Sequence, residues 1–506
     1  MQFDVGIVGS GFAGSLCAAI LARQGLRVFL VDHARHPRFA IGESSTPLAD
    51  LILRDLATRY DLPELLPLTR FGTWRETYPE LLCGCKQGFS YFHQTPQQPF
   101  FTSAEHSHEL LIAASESRFA ADTHWYRADV DQFLCQLAAR TGAVVEEGVT
   151  VRLERDQRKW KIHCSGGTVQ LAACDFLIDA SGAGGKIFGG QVELELISDQ
   201  ILQAPGAWRG SRAIFAHFDG VELWSNVLAE LEVPQEDYPF SADDAALHQV
   251  LQEGWMWQLR FENGRVSAGI ALDLETDSPA SQLTPAQEWQ QILSRYPSLG
   301  RQFKAARIVG PAAGLVSSGR LQRFVRGGAG VNWAMLPHSI GFVDPLHSTG
   351  IAHTLSGIER LIPLVLNSTG EQRQQQLSRY AAAVLEELQL IYRFVGLCYR
   401  TRWFPRSFHA ATQAYFVAVT TYERLRLEGE APESFLWAVG GPWSDILDEL
   451  EHIAAELRTP DTVPELAAER SNQFAEIAAL RCTPQNQVGL LDPDAQNLYR
   501  RTSVAK

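Results

Sequence analysis

Long apolar runs are missing from this chain: nowhere in its 506 residues do about eighteen uncharged apolar residues follow one another, the length a membrane-spanning helix needs. Positive charge is also scarce. Against 58 Asp and Glu there are only 44 Lys and Arg, a formal net charge of −14, which repels phosphate backbones and anionic lipid heads and argues against nucleic acid or a membrane surface as partner. The eight cysteines are scattered, and the one close pair, Cys83 and Cys85, has no second pair and no neighbouring His cluster at zinc spacing. Buried reduced thiols are therefore expected, and no metal. Met1-Gln2-Phe3-Asp4 leads straight into a strand pattern without a basic region or cleavage site, so the cytoplasm is the expected location. Internal repeats and low-complexity segments are absent as well. What is plentiful is core material: at 45% hydrophobic composition, a chain of this length buries more than one simple core and divides into two or three lobes.

The first lobe announces itself at the start of the chain. An apolar run from Phe3 to Val8 is followed by Gly9-Ser10-Gly11-Phe12-Ala13-Gly14, then by a helical pattern through Leu16, Ala19, Ile20 and Arg23. A second strand, Arg27 to Val31, ends in Asp32. Glycines permit a tight turn and close approach of a pyrophosphate, the helix start faces the phosphates, and an acid about twenty residues on accepts from a ribose. The segment therefore reads as a dinucleotide site formed by Gly9, Ser10, Gly11, Ala13, Gly14 and Asp32.

Further along, Cys83 to Phe92 alternates well enough to form one strand, on which Lys86 shares a face with Gly88 and Ser90. Between about 200 and 310, Ala213 to Phe218, Trp255 to Phe261 and Arg265 to Leu272 read as strands and Pro285 to Ser294 as a helix. In Gly254-Trp255-Met256-Trp257 both indoles lie on one strand face, an arrangement common in ordinary cores. From about 370 the pattern is helical: Arg373 to Tyr399, Pro405 to Arg426, Trp443 to Leu457 and Val463 to Leu480. Before it, Gly341-Phe342-Val343-Asp344-Pro345-Leu346-His347-Ser348-Thr349-Gly350-Ile351 runs from an apolar turn into a helix whose first N–H groups lack intrahelical partners, a natural place for an anion or an electron-rich ring.

Gly42-Glu43-Ser44, Tyr126-Arg127-Ala128-Asp129 on a helix, and Ile178-Asp179-Ala180-Ser181-Gly182 after a strand resemble, in that order, the flavoproteins of the glutathione-reductase-like class. Together with Cys85-Lys86-Gln87-Gly88-Phe89, the Trp255/Trp257 motif and Asp344-Pro345-Leu346-His347-Ser348-Thr349-Gly350, they resemble the flavin-dependent halogenases, and those acting on free phenols more closely than the tryptophan halogenases. The resemblance covers most of the chain to about residue 365. It implies an α/β fold: a discontinuous FAD-binding domain (1–199 and 311–366), an inserted substrate-side sheet (200–310) and a C-terminal helical lobe (367–506). It implies FAD, used as FADH2, held by the fingerprint residues with Glu43, Ser44, Arg127, Val149, Asp179, Asp344 and Ile351. Chloride or bromide is expected at Ser348, Thr349 and Gly350.

By the same resemblance Lys86 takes the place of the essential lysine, acting on hypohalous acid formed at the flavin, and Trp255 and Trp257 flank the substrate. The substrate is an electron-rich, phenolic ring. No second nucleotide fingerprint is evident for NAD(P)H, so a separate NAD(P)H-dependent flavin reductase is the expected partner. Two departures stand out: Leu259-Arg260 follows the tryptophan motif where the family has Ile-Pro, and His347 stands where tryptophan halogenases carry a carboxylate. His347 is either a base for a phenol or a packed, hydrogen-bonded side chain. The alternative function is an FAD-dependent monooxygenase or reductase of the same fold, without halide chemistry.

Overall fold

In the computed structural model, which describes residues 1–156, 159–276, 283–457, 464–500 and 502, the strand Gln2–Val8 lies at the centre of an eight-stranded sheet. It pairs in parallel with Val28–Asp32 on one side and Leu171–Asp179 on the other, and the parallel run continues to Val144–Glu147 and Trp333–Met335. Burial on both faces accounts for the near-continuous apolar character of Gln2–Val8, with Val5 and Ile7 buried, and of Val28–Asp32, buried throughout. The helix Phe12–Arg23 packs on this sheet through an Ala- and Leu-rich sequence buried over nearly its whole length. The antiparallel hairpin Thr150–Asp156 and Lys159–Ser165 extends the sheet beside Leu171–Asp179.

A nine-stranded sheet forms the second lobe, and it draws on more of the chain than the insertion expected from 200–310. Ser211–Asp219, Val266–Asp273, Gly254–Arg260 and Ala246–Val250 follow one another antiparallel. The sheet then continues into Gly88–His93, Glu109–Ala113 and the short strand Leu498–Tyr499. Alternation along Gly254–Arg260 sends Trp255 and Trp257 into the core shared with the first lobe, and Met256 into a second core with Ile214, Ile270 and Trp289.

The expected single strand from Cys83 to Phe92 is broken at Gln87. Cys83–Lys86 pairs with Asp122–Trp125 in a separate two-stranded ladder, whereas Gly88–His93 belongs to the nine-stranded sheet. Gln87 provides the joint: its N–H donates to Asp244 O and its carbonyl accepts from Ala114 and Ser115 N–H. Lys86 therefore shares no sheet face with Gly88 and Ser90.

The helices Gly370–Thr401, Pro405–Leu427, Trp443–Glu456 and Pro464–Cys482 close the molecule; Val463, the expected start of the last, lies outside the described residues. Among the described residues no helix is long and apolar enough to cross a membrane.

Candidate functional site

The Gly9–Gly14 turn is shaped by contact with the next strand. A Cβ on Gly9 would lie 2.4 Å from Ala180 O, and one on Gly14 only 1.9 Å from Gly9 O, so both positions require glycine. A Cβ on Gly11 would instead meet only side-chain ends, Arg38 Nη2, Asp131 Oδ2 and Arg127 Nη2, at ordinary contact distances of 3.5, 3.7 and 3.8 Å. Asp32 Oδ2 accepts from Ser10 N (2.7 Å) and Ser10 Oγ (3.0 Å), and Oδ1 accepts from Ala34 N (2.9 Å). Burial works to raise the Asp32 carboxyl, but the Ala34 and Ser10 N–H groups and Arg38 outweigh it and hold the group ionised below the usual range. Ala13 is buried behind the turn, and Val149 N donates to Asp32 O beside it.

Arg127 opens the helix Arg127–Arg140. Its Nε and Nη2 grip Asp131 at 2.7 and 2.8 Å, and Nη1 donates to Ile41 O and Gly42 O. This ties down the Gly42-Glu43-Ser44 segment. Glu43 is buried and accepts from His217 of the nine-stranded sheet at 2.9 Å, bridging the two lobes. Asp179 Oδ1 accepts from Ser181 and Ser339.

Several buried polar atoms along these segments have no hydrogen-bond partner: His36 Nε2, Arg38 Nε, Ser44 Oγ, Asp179 Oδ2 and His338 Nδ1. Unsatisfied groups of this kind are costly. Their presence beside the glycine turn, the flanking guanidiniums and an ionised acid is what a site built around a dinucleotide leaves open, so the residues present fit FAD.

Lys86 is fully buried. Its ammonium donates to Ser45 O and lies 3.9 Å from the centre of the Phe89 ring. Two imidazoles are close enough to feel its charge, His124 and His248; burial first and the Lys86 charge after it push both down to about 3, so they stay neutral. Phe89 and Thr46, next to Ser45, also wall a cavity of about 30 Å³ whose other walls include His347, Thr349, Tyr415 and Phe416. Lys86 thus lies one side chain away from an aromatic-lined cavity.

The loop after Gly341 delivers the remaining residues. Ser348 adopts a left-handed conformation (φ 55°) and starts the helix Thr349–Asn367 without capping it by a side-chain hydrogen bond. The first-turn N–H groups of Thr349 and Gly350 are therefore not covered by a cap, and Gly350 is exposed while Ile351 is buried. Thr349 Oγ1 and Tyr415 Oη bond each other at 2.5 Å. His347 is stacked on Tyr415 (4.2 Å between centroids), with Nδ1 3.5 Å from Tyr91 Oη and Nε2 3.5 Å from Cys398 Sγ. Burial holds its basicity well below that of an ordinary histidine, so it is a neutral, weakly basic wall residue rather than a strong base.

Asp344, expected beside the cofactor, is buried at the base of this loop. Its Oδ2 accepts from Ser211 Oγ (2.6 Å) and Tyr399 Oη (3.0 Å), its Oδ1 from Leu346 N (3.1 Å). Tyr399 in turn accepts from Trp255 Nε1 at 2.9 Å. Burial pushes the Asp344 carboxyl up to about 6 despite these donors. The residue ties the tryptophan motif and the helical lobe to the loop, and Trp257 packs beside Trp255 at 5.8 Å.

Two groupings escaped sequence reasoning. Glu423 and Thr502 line the same cavity from the far C-terminal part of the chain, with no local pattern to signal it. His36, Cys135 and Glu147 bring ligand-type atoms within 4.8 Å of one another. There His36 Nδ1 contacts Glu147 Oε1 at 2.6 Å, and burial pushes the Cys135 thiol up to about 12, which keeps it protonated and a poor metal ligand.

Comparison with known proteins bears on both lobes. The FAD dependent oxidoreductase family matches residues 4–215 and the Tryptophan halogenase family residues 220–410. Monodechloroaminopyrrolnitrin halogenase PrnC of Pseudomonas fluorescens is 28% identical over 79% of this chain and 68% of its own length. Tetracycline 7-halogenase of Kitasatospora aureofaciens is 30% identical over 71% of this chain, which spans only 62% of that enzyme. The crystal structure of halogenase PltM superimposes with a TM-score of 0.84, covering 98% of this chain and 99% of the other at 22% identity, and so shares the fold. An FAD-type nucleotide fold in the first lobe, a halogenase match across the second and halogenase relatives along most of the chain point the same way: over both lobes the chain is similar to the flavin-dependent halogenases.

Proposed function

We propose that the protein is a two-component halogenase that receives reduced FAD from a separate NAD(P)H-dependent reductase and halogenates an electron-rich aromatic ring through Lys86. The observation that carries the proposal is the fully buried Lys86 ammonium on the Phe89 face of the cavity, with the uncapped start of Thr349–Asn367 on the same cavity's wall. Bound reduced FAD supplies, with oxygen, the oxidising equivalents that convert halide into hypohalous acid. The protein's own groups do the rest. Gly9, Gly11 and Gly14 would admit the pyrophosphate, Asp32 would accept from the adenosine ribose, and Arg38 and Arg127 would balance phosphate charge. Glu43, Ser44, Val149, Asp179, Asp344 and Ile351 would hold the rest of the cofactor.

A halide is a bare anion, so the backbone N–H groups of Thr349 and Gly350, with Ser348 at the turn, suit it better than any basic side chain. Hypohalous acid is a weak electrophile until its oxygen is polarised. The Lys86 ammonium does this by giving a proton to the departing hydroxide as the carbon–halogen bond forms, and the ring proton then leaves to restore aromaticity. His124 and His248 remain uncharged beside it, so no second cation competes for the hypohalous acid. Trp255 and Trp257 fill the sheet face behind this site, and the neutral His347 forms a wall.

The test supplies purified protein with reduced FAD, oxygen, bromide or chloride and resorcinol, and reads products by their halogen isotope pattern. Wild type yields halogenated resorcinol. Lys86→Ala yields none while still oxidising reduced flavin. Halide-independent hydroxylation of the ring, or NAD(P)H consumption without a reductase, would sink the proposal.

A further inference from the structure

The cavity beside Lys86 has a volume of about 30 Å³. That is room for a molecule of a few atoms, such as hypohalous acid, but well below the roughly 150 Å³ that admits benzene in an engineered core. Hypohalous acid formed there meets the wall before it meets any ring from outside. The wall is poor in the groups such an oxidant attacks first: among the described residues that line it there is no cysteine, methionine or tryptophan. Cys398 lies behind His347, its Sγ 3.5 Å from Nε2, and burial pushes its thiol up to about 12, so it stays protonated. Both nitrogens of the His347 ring are faced, Nδ1 by Tyr91 Oη and Nε2 by that thiol. Of the other rings in the wall, Phe89, Phe416 and Phe435 carry no activating group, and Tyr415 is the single phenol among them. Its hydroxyl bonds Thr349 Oγ1 at the start of the helix Thr349–Asn367, and its ring is stacked on the His347 imidazole at 4.2 Å between centroids.

We propose that Tyr415 is a self-modification site: without a substrate ring, hypohalous acid in the cavity halogenates a Tyr415 carbon ortho to the hydroxyl. This inference rests on the halogenase reading and adds to it a covalent product on the protein itself. In the step, a π pair of the Tyr415 ring forms the carbon–halogen bond as the oxygen–halogen bond breaks, and hydroxide leaves with the displaced ring proton as water. The ring gives up two electrons and the halogen takes them, so hypohalous acid is the only co-reactant. Burial keeps the phenol protonated, which makes it less reactive than a phenolate, and confinement offsets this because the ring is held in place beside the oxidant. The carbon–halogen bond is permanent. A halogen on Tyr415 fills part of a cavity of about 30 Å³ and crowds the Thr349 end of it, so a protein that turns over without substrate closes its own site.

The experiment incubates the protein with reduced FAD, oxygen and bromide but no aromatic substrate. Excess free methionine destroys any hypobromous acid that escapes, and peptide mass spectrometry locates bromine by its paired isotopes. Tyr415 is expected to carry bromine at least about tenfold more often than any other tyrosine, because a ring held beside the oxidant outcompetes rings reached by diffusion. Omitting reduced FAD or bromide removes the label. Tyr415→Phe leaves this peptide free of bromine, and its FAD binding, measured alongside, establishes that it folds; the wild-type map is decisive without it. Labelled protein, returned to the assay with resorcinol, brominates more slowly in proportion to the fraction of Tyr415 modified, and an undiminished rate from fully labelled protein overturns the closure. Label spread evenly over the other tyrosines, or lost from Tyr415 when methionine is present, means attack from solution and overturns the self-modification. So does an unlabelled Tyr415 in a preparation that brominates resorcinol. No brominated resorcinol at all overturns the halogenase reading itself, so the two failures are told apart.

Discussion

At the scale of single residues, Asp344 joins parts of the chain that lie far apart in sequence. Its carboxylate is the acceptor for Ser211, Tyr399 and the Leu346 N–H, so it holds the loop after Gly341 to the sheet and helical lobe. Asp344→Asn keeps the volume but replaces one acceptor oxygen with a donor, leaving a buried hydroxyl or amide mispaired at a cost of about 1–3 kcal/mol. The sign with pH follows from burial. A carboxyl whose folded pKa is raised to about 6 favours the fold while protonated and loses that contribution as pH rises from the unfolded value through 6. Asparagine is free of this penalty, so the destabilisation of Asp344→Asn relative to wild type is expected to be larger at pH 5 than at pH 8. Urea unfolding at the two pH values checks it, and an equal or reversed difference would show that the carboxyl does not titrate in this range. The contact of Lys86 with Phe89 lies within one local motif. Its other neighbours do not: Ser45, His124 and His248 reach it from three separate segments.

At the scale of elements, the start of Thr349–Asn367 carries the sharpest test of the halide assignment. Thr349 is the first helical residue, a position where proline is well tolerated because its missing N–H had no intrahelical partner. Thr349→Pro removes that N–H and the hydroxyl bonded to Tyr415; Thr349→Val removes the hydroxyl alone. If the N–H holds halide, the proline variant raises the KM for bromide about tenfold or more, while the valine variant leaves it near wild type and both retain FAD. The C-terminal strap is a second element with a consequence. Leu498–Tyr499 adds to the sheet edge beside Glu109–Ala113, and Thr502 closes the cavity. At about 30 Å³ the cavity is far below the roughly 150 Å³ that admits benzene in an engineered core, so a ring enters only when a wall moves. Truncation after Gln496 is expected to lower the KM for bulky phenols and weaken selection among them, measured with a graded series of alkyl-substituted resorcinols. A two-residue strand leaves no periodic signal, which is why this element could not be read from sequence, just as the break at Gln87 depends on partners in Asp244, Ala114 and Ser115.

At the scale of the whole molecule, the fold class and the long helices were readable because apolar periodicity is a local property. The way the second sheet recruits Gly88–His93, Glu109–Ala113 and Leu498–Tyr499 was not, because pairing across hundreds of residues is decided by packing. Packing also places histidines where composition gives no warning. His93, His124, His248, His347 and His409 are all buried, and burial holds each well below the ordinary histidine range. Each stays neutral in the fold but takes up a proton once unfolded below pH ~6.5. For a base whose folded pKa is depressed, the stabilisation is complete above the unfolded value and is lost as pH falls from there towards the folded one. Each such histidine removes about 1.4 kcal/mol per pH unit in that window, so five acting together produce a steep acid limb from pH ~6.5 downward. Depressed acids such as Asp32 add their share only at lower pH. The holoprotein should therefore lose urea resistance sharply between pH 7 and 5. Replacing one member, His409→Gln, lowers stability at pH 7 but flattens the slope by about one proton, as read from the midpoint and m-value at each pH. A slope unchanged by the substitution would mean that His409 is already protonated in the fold.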